Sequence, residues 1–279
     1  SRSAGRLALT YQNSTAPEEV YVGPEAGFER RQVTTVNAGV PKPEMGQTEL
    51  VTWTGPEGQE IEGLLTYPIG YDGGRVPLAL NVHGGPMGTH LRLFTGGGHV
   101  PYIALYKPQV FAERGYAMLR PNPRGSNGYG PAFREAIIED WGGVDYKDLM
   151  AGVDKAVEMG VAHPDSLVVA GGSYGGYMTA WAVTQTDRFA AASMYAGLSN
   201  LISMAGMQSG SLLKHYMGGP FWDRYETYEA QSPIYHVKSV STPTQILHGA
   251  EDENVPPSQG REFYRALRGR GVETEMVLY

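Results

Sequence analysis

The feature that most constrains the fold is a series of short apolar segments in which apolar and polar residues do not alternate. They lie at 76–82, 117–120, 167–170, 190–194, 245–247 and 276–279. Segments of this kind are typical of strands that are buried on both faces, as in a parallel sheet. Helical periodicity occurs between several of them, at 146–158, 177–186 and 257–268. The alternation predicts right-handed β-α-β units and an α/β fold with a mostly parallel sheet.

Two β-hairpins are predicted ahead of these segments. The first pairs 7–11 with 20–22 across a polar turn, and the second pairs 50–54 with 61–67. A lone hairpin is only marginally stable in water. We therefore expect residues 1–36 to be the end of a preceding β-domain and its linker, and residues 37–279 to form the α/β domain.

The composition excludes several classes of function. The chain has 279 residues and a net charge of −7, whereas a nucleic-acid-binding surface needs a basic face. It has no cysteine, which excludes a cysteine nucleophile and thiolate metal ligands. Its histidines show no paired ligand spacing, so we expect no metal and no cofactor. No apolar run reaches the roughly 18 residues of a membrane-spanning helix, so we expect no membrane partner.

The strongest chemical signal is the segment 171–177, which contains G-x-S-x-G at Gly171, Ser173 and Gly175. It follows a predicted buried strand and opens a predicted helix, which is the context of a nucleophile elbow. Such an elbow lifts the serine Oγ above the sheet, next to a helix N-terminus that favours developing negative charge. The alternative is a glycine-rich turn with an incidental serine.

A second motif, His83-Gly84-Gly85-Pro86, follows an earlier predicted strand. An acyl-transfer enzyme needs two N–H donors that face the tetrahedral oxyanion. In a hydrolase of this kind one donor belongs to the residue after the nucleophile, which is Tyr174 here. The other belongs to the loop after an early strand, where Gly85 is the best candidate. His83 is expected to brace this loop by hydrogen bonding rather than to act as a base.

A carboxylate is expected on the loop after a late strand, where it would orient a histidine. The segment that follows the predicted strand 245–247 contains three adjacent acids, Glu251, Asp252 and Glu253. Position along the chain does not choose among them, and a solvated acidic turn is the alternative.

Four motifs occur in the order in which they are found in the prolyl oligopeptidase family of serine peptidases. They are His83-Gly84-Gly85-Pro86, Asn122-Pro123-Arg124-Gly125-Ser126-Asn127-Gly128-Tyr129-Gly130, Gly171-Gly172-Ser173-Tyr174-Gly175-Gly176-Tyr177-Met178, and His248-Gly249-x-x-Asp252-x-x-Val255-Pro256. From about residue 49 to residue 279 the chain resembles this family, and it is most similar to the acylaminoacyl-peptidase and dipeptidyl-peptidase-like branches. The resemblance implies an α/β-hydrolase fold preceded by a β-propeller, whose last strands and linker would be residues 1–36.

The resemblance also implies roles for individual residues. Asp252 would be the triad acid, because it occupies the Asp of the His-Gly-x-x-Asp motif, and Asn254 would contact the substrate backbone. The P1 pocket would be walled by uncharged side chains, namely Val255, Tyr177, Leu198 and Leu201. The upstream β-propeller would limit the substrates to short peptides. The acidic motif by which dipeptidyl peptidases hold a free N-terminus lies in that propeller, so the choice between exopeptidase and endopeptidase stays open.

Two further residues of the resembling segments are expected to be structural. Arg124 should hold its loop by hydrogen bonds. Asp145 should cap the first turn of the predicted helix 146–158.

The expected triad also needs a general base, and no histidine of this chain follows the acid loop, where the base is usually found. The chain order in this fold is Ser, acid, His, yet all seven histidines, at 83, 90, 99, 163, 215, 236 and 248, precede Asp252. We therefore expect the catalytic histidine beyond Tyr279, on the loop after a final buried strand at which this chain is truncated. The rival hypothesis is that His83 or His248 serves as the base.

These observations predict a serine peptidase that hydrolyses short peptides through an acyl-enzyme, as an oligopeptidase or an acylaminoacyl-peptidase-like enzyme. A carboxylesterase or lipase is the enzymatic alternative, since it uses the same machinery on the same fold. An inactive hydrolase fold that serves as a binding module is the alternative from another class. A homo-oligomer is compatible with the sequence.

Overall fold

The structure is a computed structural model that describes residues 2–3, 5–27, 29–41, 43–96, 105–207 and 210–279. Its strands, in chain order, are β1 (Arg2–Ser3), β2 (Arg6–Asn13), β3 (Ala16–Pro24), β4 (Arg31–Gln32), β5 (Thr48–Thr54), β6 (Glu60–Thr66), β7 (Val76–Val82), β8 (Ala117–Asn122), β9 (Ala162–Gly172), β10 (Phe189–Tyr195), β11 (Thr244–His248) and β12 (Thr274–Leu278). Its α-helices are α1 (Pro108–Glu113), α2 (Pro131–Glu135), α3 (Val144–Glu158), α4 (Tyr174–Gln185), α5 (Leu201–Met207), α6 (Ser211–Tyr216), α7 (Tyr225–Ala230) and α8 (Ser258–Gly269). Segments of 3-10 helix lie at Pro56–Gly58, Phe94–Gly96 and Pro233–Ser239.

An eight-stranded sheet lies at the centre of the described structure, in the strand order β12-β11-β10-β9-β7-β8-β6-β5. All neighbours from β12 through β8 in this order are parallel. The pairs β8-β6 and β6-β5 are antiparallel, and β5-β6 is the second predicted hairpin. The prediction of an α/β fold with a mostly parallel sheet is therefore confirmed.

The predicted bounds of some elements differ from the observed ones, because the local composition there is not typical of a strand or a helix. β9 begins at Ala162, ahead of the predicted run 167–170, because the mostly polar segment 163–166 is also extended. α4 begins at Tyr174 rather than at Tyr177, since its first turn contains two glycines, which have a low helix propensity. The helices α1, α2 and α5 to α7 have only five to seven residues, too few to show a helical period in the sequence.

The N-terminal segment forms a four-stranded antiparallel sheet in the order β1-β2-β3-β4. The first predicted hairpin is confirmed as β2 and β3. Its turn is held by Asn13 Oδ1, which accepts hydrogen bonds from the N–H groups of Thr15 at 2.9 Å and Ala16 at 2.8 Å. This sheet contacts the segment after β7, where the Phe94 N–H donates to Gln12 Oε1 at 3.0 Å.

The main apolar core lies between the large sheet and helices that include α3 and α4. Leu78, Leu80 and Val82 alternate along β7 and share one side of the sheet. They belong to the same apolar cluster as Leu149 of α3. α4 is buried along its whole length from 174 to 184, which is why it has no polar face. The start of α4 is therefore enclosed by the core, whereas Gly172 and Ser173 just before it are half-buried.

Arg124 ties the loop after β8 to α3, as predicted. Its backbone N–H and Nε donate to Asp148 Oδ2 at 3.0 and 2.9 Å, and Nη2 donates to Asp148 Oδ1 at 2.9 Å. Nη1 also pairs with Glu57 at 2.9 Å. Asp148 is fully buried and Arg124 nearly so. The pair fixes the loop that carries Ser126, a residue that contacts the candidate active site.

We expect Asp148→Ala to destabilise α3 strongly, because it removes the buried counter-charge of the Arg124 guanidinium and leaves only the exposed Glu57. The expected loss is about 3–5 kcal/mol. The matched control is Asp154→Ala on the same helix, which breaks only a partly exposed pair with Arg188 at 2.7 Å. This control should cost less than about 1 kcal/mol. Native-state hydrogen exchange of the α3 amides measures the loss of stability in both variants. Equal losses would contradict the role of Asp148 as the buried partner of Arg124.

Candidate active site

Ser173 occupies the turn between the end of β9 and the start of α4. Its backbone has φ 59° and ψ −122°, a left-handed conformation that costs a non-glycine residue of order 1–3 kcal/mol. The turn is held on both sides, because the Ser173 N–H donates to Tyr195 O at 3.0 Å and its carbonyl accepts from the Tyr177 N–H at 2.9 Å. This is the strand–turn–helix geometry expected of a nucleophile elbow.

Glycines next to Ser173 permit an approach of backbones that no side chain would allow. A Cβ on Gly175 would lie 2.1 Å from Val82 O, at the end of β7. A Cβ on Gly176 would lie 2.6 Å from the Cα of Gly197, just after β10. The start of α4 is therefore in direct backbone contact with the strand ends on either side of β9.

The loop after β7 lies beside Ser173. A Cβ on Gly84 would lie 3.8 Å from Ser173 Oγ. The Gly84 carbonyl accepts hydrogen bonds from the Gly88 N–H at 3.1 Å and from His83 Nδ1 at 2.9 Å. Because the C=O and N–H of a trans peptide point in opposite directions, these bonds also fix the direction of the Gly85 N–H.

The two predicted oxyanion donors are free to bind a ligand. No hydrogen bond found within the described ranges uses the N–H of Gly85 or of Tyr174. Tyr174 is the first residue of α4, where a backbone N–H has no intrahelical partner. Gly85 has φ 133°, a value that favours glycine at this position.

His83 is a buried neutral residue that braces this loop. Its Nε2 lies 2.9 Å from the hydroxyl of Ser126, and its ring packs against His90 with centroids 5.3 Å apart. Burial lowers the pKa of His83 to about 4. Nδ1 donates to Gly84 O, and Nε2 contacts the Ser126 hydroxyl, which itself donates to the Pro123 carbonyl at 2.7 Å. Both ring nitrogens are therefore engaged by groups other than Ser173 Oγ.

Backbone hydrogen bonds orient one of the three acids on the loop after β11. Asp252 Oδ1 accepts from the N–H groups of Asn254 and Val255, both at 2.9 Å. Glu251 and Glu253 are exposed, whereas the Asp252 side chain is only 23% exposed. Asp252 Oδ2 accepts no hydrogen bond from any described residue, so it is available to an imidazole N–H.

His248 lies close to Asp252 without forming a catalytic pair with Ser173. Its Nε2 lies 2.8 Å from the Val255 carbonyl and 3.9 Å from Asp252 Oδ2. Its Nδ1 faces α8, because a Cβ on Gly260 would lie 2.8 Å from that atom. Burial lowers the pKa of His248, which favours the neutral imidazole. None of the hydrogen bonds found in the described part of the chain joins a histidine nitrogen to Ser173 Oγ.

The expected P1 residues lie in one apolar cluster with Tyr174. Leu198, Leu201 and Val255 are buried, with at most 5% exposure, and Asn254 is exposed. Tyr177 is fully buried and stacks between Tyr174 and Trp181, so its ring does not face solvent.

Asp145 has a partner that the sequence interpretation missed. The first turn of α3 is capped by Asp140, whose Oδ2 accepts from the Val144 N–H at 2.9 Å. Asp145 accepts from the Tyr146 N–H at 2.8 Å, and its other oxygen accepts from the Tyr174 hydroxyl. Asp145 therefore accepts one N–H of the first turn of α3, which is what the expected cap would do, but its contact with the Tyr174 hydroxyl was not expected. No sequence signal links two residues that lie 29 positions apart.

Metal ligands and membrane-spanning helices were also sought among the described residues. Within them no group of three or more His, Asp or Glu side chains could hold a metal ion. No helix in those ranges is both long and apolar enough to cross a bilayer. His99, one of the histidines considered in the sequence, lies outside the described residues.

Comparison with known proteins decides the family. The model of the prolyl oligopeptidase family matches residues 102–279. The chain belongs to this family. An uncharacterized peptidase of Bacillus subtilis, YuxL, is 37% identical over 275 residues, which cover 94% of this chain and 39% of that protein. The acylamino-acid-releasing enzyme of Arabidopsis thaliana is 33% identical over 213 residues, 73% of this chain and 27% of that protein.

A solved structure agrees with this fold. The acylaminoacyl peptidase of Pyrococcus horikoshii superposes with a TM-score of 0.86 at 28% identity. The superposition covers 99% of this chain and 43% of that one. The α/β-hydrolase fold implied by the four motifs is thereby confirmed. The chain spans less than half the length of these relatives.

We expect Gly175→Ala to disrupt the turn at Ser173, because its Cβ would clash with the backbone carbonyl of Val82 at 2.1 Å. Relief of the clash requires movement of β7 or α4, and overpacking of this kind typically costs about 1–3 kcal/mol. Gly269→Ala at the end of α8 is the control, since a Cβ there meets nothing within 4 Å. Thermal unfolding of both variants tests the contact, and an unchanged transition in Gly175→Ala would refute it.

Proposed function

We propose that this chain is the catalytic part of a serine peptidase that hydrolyses short peptides through an acyl-enzyme intermediate. The observation that carries the proposal is the position of Ser173. It sits at φ 59° on a strand-to-helix turn beside the Gly84–Gly85 peptide. Membership in the prolyl oligopeptidase family and the names of the relatives support peptide bonds as substrates.

In the proposed reaction, Ser173 Oγ attacks the carbonyl carbon of the scissile bond and gives its proton to a histidine. The negative oxygen of the tetrahedral intermediate accepts hydrogen bonds from the Gly85 and Tyr174 N–H groups. Loss of one such donor typically costs about 2.7–4 kcal/mol of transition-state stabilisation. The C–N bond then breaks, the leaving amine takes the proton from the histidine, and water hydrolyses the acyl-serine.

We propose Asp252 as the acid that orients this histidine. Its Oδ1 is fixed by two backbone N–H groups, while its Oδ2 remains available. The histidine itself is proposed to follow Tyr279, in agreement with the chain order Ser, acid, His. The engagement of His83 with Gly84 and Ser126, and of His248 with Val255, argues against either residue as the base.

The substrate-binding roles are proposed for residues around the apolar cluster. Leu198, Leu201 and Val255 would wall the P1 pocket, with Tyr177 supporting it from behind. Asn254 is exposed next to Asp252 and would bind the substrate backbone. Since this wall carries no charge, the preferred P1 side chain would be apolar.

We further propose that residues 1–36 are the end of a β-propeller and its linker, and that residues 37–279 are the catalytic domain. The antiparallel order β1-β2-β3-β4 of the N-terminal sheet supports this division. A propeller ahead of the catalytic domain would restrict access to short peptides.

Ser173→Ala should abolish covalent labelling of the intact gene product by a fluorophosphonate and reduce peptide hydrolysis to background. The reason is that the attacking oxygen is removed while the turn is kept. Ser193→Ala, one strand away in β10, is the control and should be labelled like the wild type. Labelling of the Ser173→Ala protein would refute the proposed nucleophile, and an unlabelled wild type would favour an inactive binding module.

Asp252→Asn should lower kcat by about 10⁴-fold, because the amide no longer holds the imidazole in the required tautomer. Glu253→Gln, one residue away and exposed, is the matched control and should leave kcat within a few-fold of the wild type. Steady-state hydrolysis of a peptide anilide measures both. A larger loss in Glu253→Gln than in Asp252→Asn would show that the wrong carboxylate is assigned.

The proposed substrate class is tested by comparing kcat/KM on peptide anilides with different P1 residues and on p-nitrophenyl esters. Apolar P1 residues should be preferred over Lys, Arg and Asp, since no charged side chain lines the proposed wall. Strict preference for a charged P1 residue would contradict the pocket. Turnover of esters without turnover of peptides would favour a carboxylesterase.

A further inference from the structure

Asp145 and Tyr174 form a buried pair between two helices at the candidate active site. The Tyr174 hydroxyl at the start of α4 donates to Asp145 Oδ2 in the first turn of α3. Both side chains are enclosed, with 0% exposure for Asp145 and 2% for Tyr174. The reaction described above makes no use of the Asp145 carboxyl.

The surroundings of the pair hold the Tyr174 ring in a single position. The Trp141 ring meets it edge-on with centroids 4.8 Å apart, and Tyr177 stacks on it at 5.5 Å. Asp145 is itself anchored, because its Oδ1 accepts from the Tyr146 N–H at 2.8 Å. The far end of the Tyr174 side chain is therefore fixed by α3, an element that does not contain Ser173.

Within the described part of the chain Asp145 has no cationic partner, so ion pairing does not account for its burial. None of the ion pairs found in the described part of the chain includes it. Burial raises the pKa of Asp145 to about 7, with a contribution from the negative charge of Asp140. An isolated buried carboxyl is costly, so a defined hydrogen-bonding task is the simplest reason for its presence.

We propose that Asp145 is a positioning residue for the oxyanion hole, which it orients through the hydroxyl of Tyr174. Tyr174 contributes the backbone N–H that lies next to Ser173, and the side chain and N–H of one residue share the same Cα. Fixing the hydroxyl restrains rotation of the first turn of α4 and thereby holds this N–H in its direction. The inference rests on the proposed function, because it assigns a task within that oxyanion hole.

The hydrogen bond between Tyr174 and Asp145 persists in either protonation state of Asp145. An ionised carboxylate accepts from the Tyr174 hydroxyl, and a neutral carboxyl group retains an oxygen that can do the same. Asparagine can replace the carboxyl, since its Oδ1 can accept from Tyr146 while its NH2 donates to the hydroxyl oxygen.

The test uses the intact gene product, with the number of active sites determined by fluorophosphonate titration. We expect Tyr174→Phe and Asp145→Ala each to lower kcat per titrated site by about 10- to 100-fold, the size of effect that a misplacement of about 1 Å produces. KM should change by less than about threefold, because ground-state binding does not depend on the oxyanion donors. The double variant should lose no more than the worse single variant, since both changes remove the same contact.

Two further variants separate positioning from general stability. Asp145→Asn should restore kcat to within about threefold of the wild type, because it keeps the hydrogen bonds. Tyr228→Phe is the control, since it removes a buried tyrosine hydroxyl that donates to Gly219 O at 3.0 Å, away from Ser173. Its kcat per titrated site should equal that of the wild type.

The possible outcomes test the positioning role of Asp145 and, separately, the proposed function on which it rests. Wild-type kcat per site in Tyr174→Phe, which retains the aromatic ring, would overturn the positioning role even if Asp145→Ala does not fold. A loss in Asp145→Asn as large as in Asp145→Ala would also overturn it. A wild type that is not labelled would overturn the proposed function, and the inference with it. A labelled, active wild type with unaffected variants would refute the inference alone.

Discussion

The close contact of α4 with β7 is the constraint on which the rest of the candidate site depends. Gly175 brings the first turn of α4 so near to Val82 that a single Cβ would meet the Val82 carbonyl at 2.1 Å. Val82 is the last residue of β7, and the loop His83-Gly84-Gly85-Pro86 begins directly after it. The same contact therefore sets the position of Ser173 and the position of the Gly85 N–H relative to each other. The strained φ of Ser173 persists because the surrounding strands enforce it.

The buried polar groups around this contact are either uncharged or hydrogen-bonded to other groups of the protein. Burial lowers the pKa of His83 to about 4 and raises the pKa of Asp145 to about 7. His83 is therefore uncharged at neutral pH where it lies beside the Gly84–Gly85 peptide. A hydrogen-bond donor acts more strongly on a developing negative charge in such a weakly polarisable environment than in water. The arrangement suits chemistry in which the new charge appears on a single oxygen atom.

A polar side chain of α8 joins the acid loop to the proposed P1 wall. Gln259 Oε1 accepts from the N–H groups of Ser199 and Asn200 at 3.0 and 2.9 Å, and its Nε2 donates to Ser203 at 2.8 Å. Gln259 follows the loop of Asp252 by only seven residues. The segment that carries Leu198 and the loop that carries Asp252 are thus held by one buried amide, although 50 or more residues separate them in the chain.

The sequence by itself determined the order of the elements, because apolar runs and helical periods depend on local burial. It also determined the motif contexts around Ser173 and Gly85, and the hairpins β2-β3 and β5-β6. The partners of buried polar groups could not be predicted in the same way. Ser126 lies 43 residues from His83, and Tyr174 lies 29 residues from Asp145. Only the tertiary structure decides such pairs, because a hydrogen bond between distant segments requires the packing of whole strands and helices to bring its two atoms together.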